Sequence, residues 1–227
     1  MDRNAITVAL PKGRLLPDCI RLLSAVGMRT TEEIDTSRKL LFSSEDGSAR
    51  ILVVRDKDLP TYVEYGAADV GVVGKDVLME SGADLLEPAD LGFGFCRIVV
   101  ARPASISGRE DPTGWGHMRV ATKYPRITTD HFASRGEQVE IIPLYGSIEL
   151  APLVGLADRI VDLVSSGETL RQNNLAEVEE VARITARLVV NRASMKIKSD
   201  RLAPLIQAIR QETEREQRGV NQTRTGR

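Results

Sequence analysis

The chain has 227 residues, 42% of them apolar and 28% charged, so it is long enough to bury one large core or two smaller ones. Its formal net charge of −1 gives no overall attraction to nucleic acid or to an anionic membrane, which argues against both as partners. The N-terminus lacks a signal-peptide pattern and no stretch is apolar enough to span a bilayer, so we expect a cytoplasmic protein.

Short β-branched runs alternate along the chain with segments of helical periodicity. The predicted strands are residues 6–11, 50–55, 69–74, 97–103, 119–122, 139–145 and 159–164. One predicted helix has an apolar face from Leu15 to Val26 and ends at Gly27, and another runs from Leu202 to Ile209. This alternation predicts an α/β fold with largely parallel sheets.

The domain organisation follows from two less regular stretches. Residues 101–120 are rich in Pro, Gly and Ser and form either an interdomain loop or a long surface excursion. Residues 176–191 read as one long strand or two successive strands that return toward the first lobe. We predict two lobes with a central cleft: 1–95 plus 180–227, and 96–179. The last ten residues have no apolar face and are predicted to be frayed.

The stretch DLVSSGETL, which begins at Asp162, follows a predicted strand with hydroxyl side chains around one glycine. Amides at the start of a helix favour an anion, and Gly167 permits close approach of the backbone to a phosphate. Alternatively, Ser166 or Thr169 simply caps the following helix, and the spacing alone does not decide. Asp162 favours the first reading because it could bind ribose hydroxyls beside a 5′-phosphate. The sequence leaves open where the Glu168 carboxylate points.

A second candidate anion site is LPKGRL, where Lys12 and Arg14 flank Gly13 at the end of the first predicted strand. Two cations beside helix-start amides suit a polyphosphate. Cations at a helix N-terminus oppose the helix dipole, so this placement favours a binding role over a solvated lysine. The motif lacks the GxxxxGK[ST] spacing of a P-loop.

Other charged residues and glycines also stand at predicted strand ends. They are Arg55, Gly71, Gly74, Lys75, Asp76, Arg97, Lys123, Ser147 and Glu149. Each alone has an ordinary structural reading, as a turn glycine or a paired surface residue. Ligands of open parallel sheets bind beyond the carboxyl ends of the strands, so the shared position predicts a site for phosphate-bearing substrates.

The cysteines and histidines carry no metal-ligand spacing. We predict that Cys19 lies in the core, that Cys96 is an ordinary strand residue, and that neither His117 nor His131 is a metal ligand.

The motifs LPKGRL, DVGVVGKD, KYP, GSIELAP and DLVSSGETLRQNNL, in this order, resemble the ATP phosphoribosyltransferase family, the first enzymes of histidine biosynthesis. The resemblance covers about residues 6–196. It implies transfer of the phosphoribosyl group of 5-phosphoribosyl 1-diphosphate (PRPP) to N1 of the ATP adenine, with release of diphosphate and with Mg²⁺. It also implies a two-lobed fold like that of type II periplasmic binding proteins.

Only one predicted helix and a polar tail follow Lys198, and in this the chain resembles the short form of that family. This implies a separate regulatory subunit, similar to the catalytic core of histidyl-tRNA synthetase, in a hetero-oligomer, and self-association of the catalytic chain. The family commonly has threonine at the position of Ser166 and a small residue at that of Glu168.

Guided by the resemblance, we assign roles to the candidate residues. The PRPP residues are Asp162, Ser165, Ser166, Gly167, Glu168 and Thr169. The ATP or pyrophosphate residues are Lys12, Gly13, Arg14, Arg55, Gly74, Asp76, Arg97 and Lys123. The catalytic candidates are Asp162, Glu149 and Lys12, with no direct protein ligand assigned to a metal. The alternatives are a two-lobed small-molecule binding or sensor module and another PRPP-dependent transferase.

Overall fold

A computed structural model describes residues 5–106 and 118–225, with side chains described as far as residue 219. The chain divides into two compact units, the first made of Met1–Gly94 with Thr185–Arg227 and the second of Phe95–Ile184. No helix in the described ranges is both long enough and apolar enough to cross a membrane. His117 and most of the Pro- and Gly-rich stretch before it lie outside the described residues.

The helices and strands occur in the following bounds. The strands are β1 (Ile6–Pro11), β2 (Leu41–Ser43), β3 (Ala49–Val54), β4 (Val70–Gly74), β5 (Leu86–Asp90), β6 (Cys96–Pro103), β7 (Met118–Thr122), β8 (Val139–Pro143), β9 (Arg159–Val164), β10 (Leu175–Ile184) and β11 (Ala186–Val190). The helices are α1 (Leu16–Ala25), α2 (Leu59–Glu64), α3 (Lys75–Ser81), α4 (Pro125–Ala133), α5 (Leu150–Leu153), α6 (Glu168–Gln172), α7 (Arg192–Ile197) and α8 (Ser199–Thr225).

The first unit is built on a six-stranded mixed sheet with the strand order β2-β3-β1-β4-β11-β5. Its three central strands β3, β1 and β4 are parallel, so their carboxyl ends share one edge. Helices α1 and α8 cover one face, where Val8 and Leu10 meet the buried Leu202, and α2 covers the other face, where Ala9 meets Leu59. Burial on both faces explains why β1 is apolar throughout rather than alternating.

The second unit contains a five-stranded sheet in the order β10-β6-β9-β7-β8. Strands β9, β7 and β8 are parallel, whereas β6 runs antiparallel to β9, and β10 runs antiparallel to β6. The carboxyl ends of β7, β8 and β9 therefore lie along one edge, together with the amino end of β6. Helices α5 and α6 close one face over a core that includes Ile160 and Leu170.

The amino end of the first unit's parallel strands is held by a polar cluster around Asp69. Its carboxylate accepts hydrogen bonds from the Thr7 amide at 2.8 Å, the Ser194 hydroxyl at 2.7 Å and the Lys198 ammonium at 2.8 Å. Burial alone would raise the pKa of Asp69, but Lys198 and the other donors outweigh burial and lower it. This cluster ties β1 and β4 to the C-terminal helices and lies at the opposite edge from the predicted substrate site.

Several sequence predictions differ from the fold. Both sheets are mixed rather than largely parallel, because β2 and β11 pair antiparallel with their neighbours in the first sheet and β6 does so in the second. By contrast, the reading of 176–191 as two successive strands is confirmed, since β10 lies in the second sheet and β11 in the first. The 101–120 stretch leaves β6 and enters β7 of the same sheet, so it is not a link between sheets. The expected frayed tail is wrong as far as Thr225, because α8 reaches that residue.

Candidate active site

Two predicted site residues meet at the carboxyl edge of the second unit's sheet. Thr122, the last residue of β7, is the register partner of Val161 inside β9, so the next residues, Lys123 and Asp162, stand side by side. The Lys123 ammonium lies 3.1 Å from a carboxylate oxygen of Asp162, with 29% of the lysine side chain and 15% of the aspartate side chain exposed. The same oxygen, Asp162 Oδ1, also accepts a hydrogen bond from the amide of the next residue, Leu163, at 2.7 Å.

The hydroxyl-rich loop follows β9 at the same edge. Gly167 takes the N-cap position of α6 with a φ of +77°, a conformation that favours glycine, and no side chain in the described residues makes the cap hydrogen bond. Ser166 Oγ accepts only a long, 3.4 Å contact from the Glu168 amide. The alternative that Ser166 or Thr169 is the helix cap is therefore wrong. Ser165, Ser166 and Thr169 are all exposed at this edge.

The Glu168 carboxylate, whose direction the sequence left open, turns along its own helix. It accepts hydrogen bonds from the Arg171 guanidinium at 2.5 Å and from the Gln172 amide at 3.1 Å. The bond from Arg171 lowers the pKa of Glu168, so the group is ionised and paired. An adjacent arginine thus offsets the negative charge that the sequence brings to this loop.

Arg97 also belongs to the edge of the second unit, since its register partner in β9 is Val164. Its guanidinium donates hydrogen bonds to both carboxylate oxygens of Glu177 on β10, one at 2.9 Å and the other closer. It also lies 3.4 Å from a carboxylate oxygen of Glu180. The hydrogen bond to Glu177 raises the pKa of Arg97. Arg97 is therefore engaged with carboxylates of its own sheet, and it belongs to the second unit, whereas Lys12, Arg14 and Arg55 belong to the first.

The GSIELAP motif forms the loop after β8, at the same edge. Ser147 takes a φ of +49°, and Glu149 immediately precedes α5 without capping it by a side-chain hydrogen bond in the described chain. Glu149 is half-buried. The parallel order of β9, β7 and β8 thus brings Asp162, Lys123 and the Glu149 loop to one sheet edge.

In the first unit, the corresponding edge carries the residues predicted to bind ATP. The Lys12 amide donates to the Val54 carbonyl at 2.7 Å, so Lys12 and Arg55 follow the ends of neighbouring strands. Gly13 has a φ of +109° with no atom within 4 Å of the position that a Cβ would take. Lys12, Arg14 and Arg55 are exposed. The backbone conformation at Gly13, rather than crowding, is what favours glycine there.

Gly74 and Asp76, at the end of β4, are buried rather than open to a ligand. A Cβ on Gly74 would lie 2.3 Å from Oδ1 of Asp76, because that carboxylate folds back over the helix start. Gly71 is required for packing, since its Cβ would lie 2.8 Å from Leu59 in α2. The glycines of DVGVVGKD therefore have packing reasons that the sequence alone did not reveal.

The sequence is similar to those of known enzymes. A family model described as HisG: ATP phosphoribosyltransferase matches residues 55–211. An ATP phosphoribosyltransferase of Citrifermentans bemidjiense is 55% identical over 206 residues, covering 91% of this chain and 97% of that protein. One of Syntrophotalea carbinolica is 58% identical over 202 residues, covering 89% of this chain and 92% of that protein. The chain belongs to the ATP phosphoribosyltransferase family.

Solved structures support the same family and the expected fold. The ATP phosphoribosyl transferase (HisG:HisZ) complex from Thermotoga maritima matches with a TM-score of 0.80 and 36% identity, covering 92% of this chain and 99% of that one. The periplasmic aliphatic sulphonate binding protein SsuA from Escherichia coli matches with a TM-score of 0.56 at 12% identity, over 98% of this chain and 76% of that one. The second likeness shows the fold alone. It confirms the predicted fold like that of periplasmic binding proteins and gives no support to a binding or sensor function.

Cys19 lies in the core, as predicted, and burial raises the pKa of its thiol. Cys96 is the first residue of β6, as expected of a strand residue, and it is also buried. His131 Nε2 lies 2.9 Å from Glu179, which also contacts Arg135. No group of three or more potential metal-ligating side chains occurs in residues 5–106 or 118–219.

Sequence reasoning missed two residues that shape this site, Thr122 and Arg171. Arg171 stands three residues after Glu168, a spacing that predicts a helical ion pair, so the signal was available. Thr122 left no such signal, because it reads as an ordinary end of a β-strand.

Proposed function

We propose that this chain condenses ATP with PRPP, as the catalytic subunit for the first step of histidine biosynthesis. The adenine N1 attacks the anomeric carbon of PRPP, the bond from that carbon to the diphosphate oxygen breaks, and diphosphate leaves with the electron pair. Membership of the family supports this reaction. The observation that carries the residue assignment is the meeting of Asp162 and Lys123, 3.1 Å apart, beside the hydroxyl-rich loop.

Asp162 binds the ribose hydroxyls of PRPP in this proposal, and Lys123 neutralises the departing diphosphate. Displacement at the anomeric carbon passes through an oxocarbenium-like state, so a carboxylate near the ribose and a cation near the leaving group both stabilise developing charge. Neither role needs a covalent nucleophile, because orientation alone supplies up to about 7–11 kcal/mol in favourable cases. The half-buried setting of Lys123 and Asp162 favours such orientation, since neither side chain moves freely in water.

The loop from Ser165 to Thr169 holds the 5′-phosphate. The hydroxyl groups of this loop are exposed. Gly167 is the N-cap of α6, and no side chain among the described residues makes the cap hydrogen bond, so the first amides of α6 are accessible to a phosphate. Glu168 repels a phosphate less than an unpaired carboxylate would, because Arg171 holds it along the helix. Glu149 is a second candidate for the ribose or its magnesium, from the neighbouring strand end.

ATP is assigned to the strand ends of the first unit. Lys12, Arg14 and Arg55 present exposed cations there, and Gly13 allows the backbone to approach a phosphate. Gly74 and Asp76 are buried at the end of β4, so in this proposal they support the edge and do not contact ATP. Arg97 acts on the PRPP side by its position in β6, and its two carboxylate neighbours make it an orienting group more than a free phosphate ligand.

Magnesium enters as part of the substrates in this proposal. Mg²⁺ keeps several waters and is usually bound through one or two carboxylates and substrate phosphates rather than by an all-protein cage. Asp162 and Glu149 are the carboxylates at the right edge to meet it. We further propose action in the cytoplasm, self-association, and assembly with a regulatory subunit of the kind present in the HisG:HisZ complex of Thermotoga maritima.

The test is an absorbance assay with ATP, PRPP and MgCl₂, first with the purified chain and then with its regulatory subunit added. We expect an ultraviolet rise from the N1-substituted adenine, dependent on both substrates. Product identity is checked by mass, because another PRPP-dependent transferase would consume PRPP without modifying ATP. No modified ATP with both proteins present would contradict the proposed reaction.

A further inference from the structure

The hydroxyl of Thr122 ties together the two strand ends that carry Lys123 and Asp162. Thr122 is fully buried at the end of β7. Its Oγ1 donates to the carbonyl of Val161 on β9 at 2.7 Å and accepts the amide of Tyr124 at 2.9 Å. Both hydrogen-bonding functions of the hydroxyl are therefore used.

The partners of this hydroxyl flank the ion pair in sequence. Val161 immediately precedes Asp162, and Tyr124 immediately follows Lys123. The register of β7 with β9 ends at Thr122 and Val161, whereas β9 continues to Val164 in register with β6. The Thr122 hydroxyl is thus a side-chain link between β7 and β9 at their last residue pair before the ion pair, and its bond to Tyr124 closes the turn around Lys123.

A second buried threonine supports the same turn. Thr128 Oγ1, in the first turns of α4, donates to the Tyr124 carbonyl at 2.7 Å and lies 3.3 Å from Thr122 Oγ1. Tyr124 is held through both its amide and its carbonyl. Its ring in turn lies 5.1 Å beneath the Lys123 ammonium, so the side chain of Lys123 has an aromatic support on one side and Asp162 on the other.

We propose that Thr122 is a positioning residue for phosphoribosyl transfer, because its hydroxyl holds the Lys123 turn against β9 so that the ammonium stays at Asp162 and the PRPP diphosphate. This inference rests on the proposed PRPP roles of Lys123 and Asp162. Lysine is a flexible cation with many rotamers, so a fixed backbone is needed to keep its charge at one point. A displacement of about 1 Å at such a site costs up to about 100-fold in rate.

The test compares Thr122→Val with Thr122→Ser and with Thr129→Val. Valine keeps the shape of threonine but leaves Val161 and Tyr124 without their partner, whereas serine keeps the hydroxyl. Thr129 is the matched control, because it lies in the same helix as Thr128, is exposed, and bonds only to the Pro125 carbonyl at 2.8 Å within the described chain. Steady-state kinetics with the regulatory subunit give kcat and KM for each substrate.

We expect Thr122→Val to lower kcat/KM for PRPP by about 10- to 100-fold, with the KM for ATP within about twofold of the wild type. Thr122→Ser recovers most of the loss, and Thr129→Val behaves as the wild type. A merely structural role would instead lower kcat in proportion to the folded fraction and leave the KM for PRPP and the KM for ATP unchanged. A loss confined to kcat that matches the folded fraction, or a serine variant no better than valine, would overturn the proposal.

A double-mutant cycle with Lys123→Met tests the route of the effect. If Thr122 acts through Lys123, then Thr122→Val lowers kcat/KM for PRPP by less than about twofold when Lys123 is already methionine. If the two substitutions lower kcat/KM independently, so that their effects add as free energies, the mechanism is contradicted. If Thr122→Val shows no cooperative thermal transition, Thr128→Val carries the same test with a smaller PRPP-specific loss expected. An inactive wild type contradicts the proposed function, whereas an active wild type with a fully active Thr122→Val variant contradicts only this inference.

Discussion

The ammonium of Lys123 lies 3.1 Å from the carboxylate of Asp162, across the ends of two parallel strands. The motifs that contain these residues are 39 positions apart, and the parallel order of β7 and β9 is what joins them. Sequence reasoning assigned Asp162 to PRPP and Lys123 to ATP or pyrophosphate. In the function that we propose, their contact groups both with PRPP, the lysine with the leaving diphosphate and the aspartate with the ribose.

Replacing Asp162 by asparagine tests the ribose assignment. We expect kcat/KM for PRPP to fall by about 10- to 100-fold, because a hydrogen bond to a charged group is worth about 1.5–3 kcal/mol. The change also leaves the half-buried Lys123 without its counter-charge. The absorbance assay with the regulatory subunit measures the effect, and circular dichroism checks that the variant is folded.

Asp158→Asn provides the matched control for that variant. Asp158 precedes the other end of β9, where it accepts the Arg119 amide at 2.8 Å, and asparagine keeps an acceptor oxygen there. We expect its PRPP kinetics to stay within about twofold of the wild type, because the lost surface charge is worth little. Equal losses for Asp158→Asn and Asp162→Asn would remove Asp162 from the site.

Lys12→Ala tests the polyphosphate site of the first unit. The variant removes an exposed cation beside Gly13, so we expect ATP or diphosphate affinity to fall by about 10-fold or more. Isothermal titration with each ligand gives the affinities. Lys196→Ala is the control, because Lys196 is an exposed lysine in α7, which follows β11 at the opposite edge of the sheet. Wild-type affinity of Lys12→Ala for both ligands would sink the assignment.

Glu168→Gln tests how strongly the loop carboxylate opposes a phosphate. Removing this charge frees Arg171 as well, so we expect the KM for PRPP to fall by about two- to fivefold, the scale of one exposed pair. The gain should shrink at high salt, where exposed charges are screened. Glu137→Gln changes an exposed glutamate before β8 and should leave the KM unchanged. A rise in KM for Glu168→Gln would show that the carboxylate binds the substrate.

The sequence predicted where the strands end better than it predicted which side chains meet there. Strand ends at Pro11 and Val164 were readable because apolar runs stop there at glycine, lysine or serine. The short edge strands β2 and β5 were not, since each is half-exposed and carries little apolar pattern. The partner of Lys123 was also hidden, because strand order and register are set by packing of the whole sheet rather than by local propensity.

Gly71→Ala separates packing from ligand approach in DVGVVGKD. A Cβ at this position would lie 2.8 Å from a Leu59 methyl group and 3.0 Å from a Val63 methyl group, so these packed side chains of α2 must move. We expect a loss of about 1–3 kcal/mol in the free energy of unfolding, typical of overpacking. The KM for ATP of the folded fraction should stay near the wild-type value. Urea unfolding and ATP kinetics measure the two effects, and unchanged stability with a raised KM for ATP would instead favour a ligand role.

The Asp69 cluster makes the first unit sensitive to acid. Its folded pKa is lowered, so the stability that it contributes is present above the unfolded pKa of about 3.9 and is lost as the pH falls through the folded value. Asp69→Asn should lower the free energy of unfolding by about 1.5–3 kcal/mol at pH 7, with a smaller difference from the wild type below about pH 4.

Urea unfolding from pH 3 to pH 7 measures this convergence. Lys198→Met removes the other half of the 2.8 Å pair, so it should be less stable than the wild type at pH 7 and converge with it in the same pH range. The double variant should lose less free energy of unfolding than the two single variants lose together, because each single change already leaves the other charge unpaired. A stability difference between Asp69→Asn and the wild type that stays constant across the whole pH range would show that the Asp69 carboxylate does not carry the linkage.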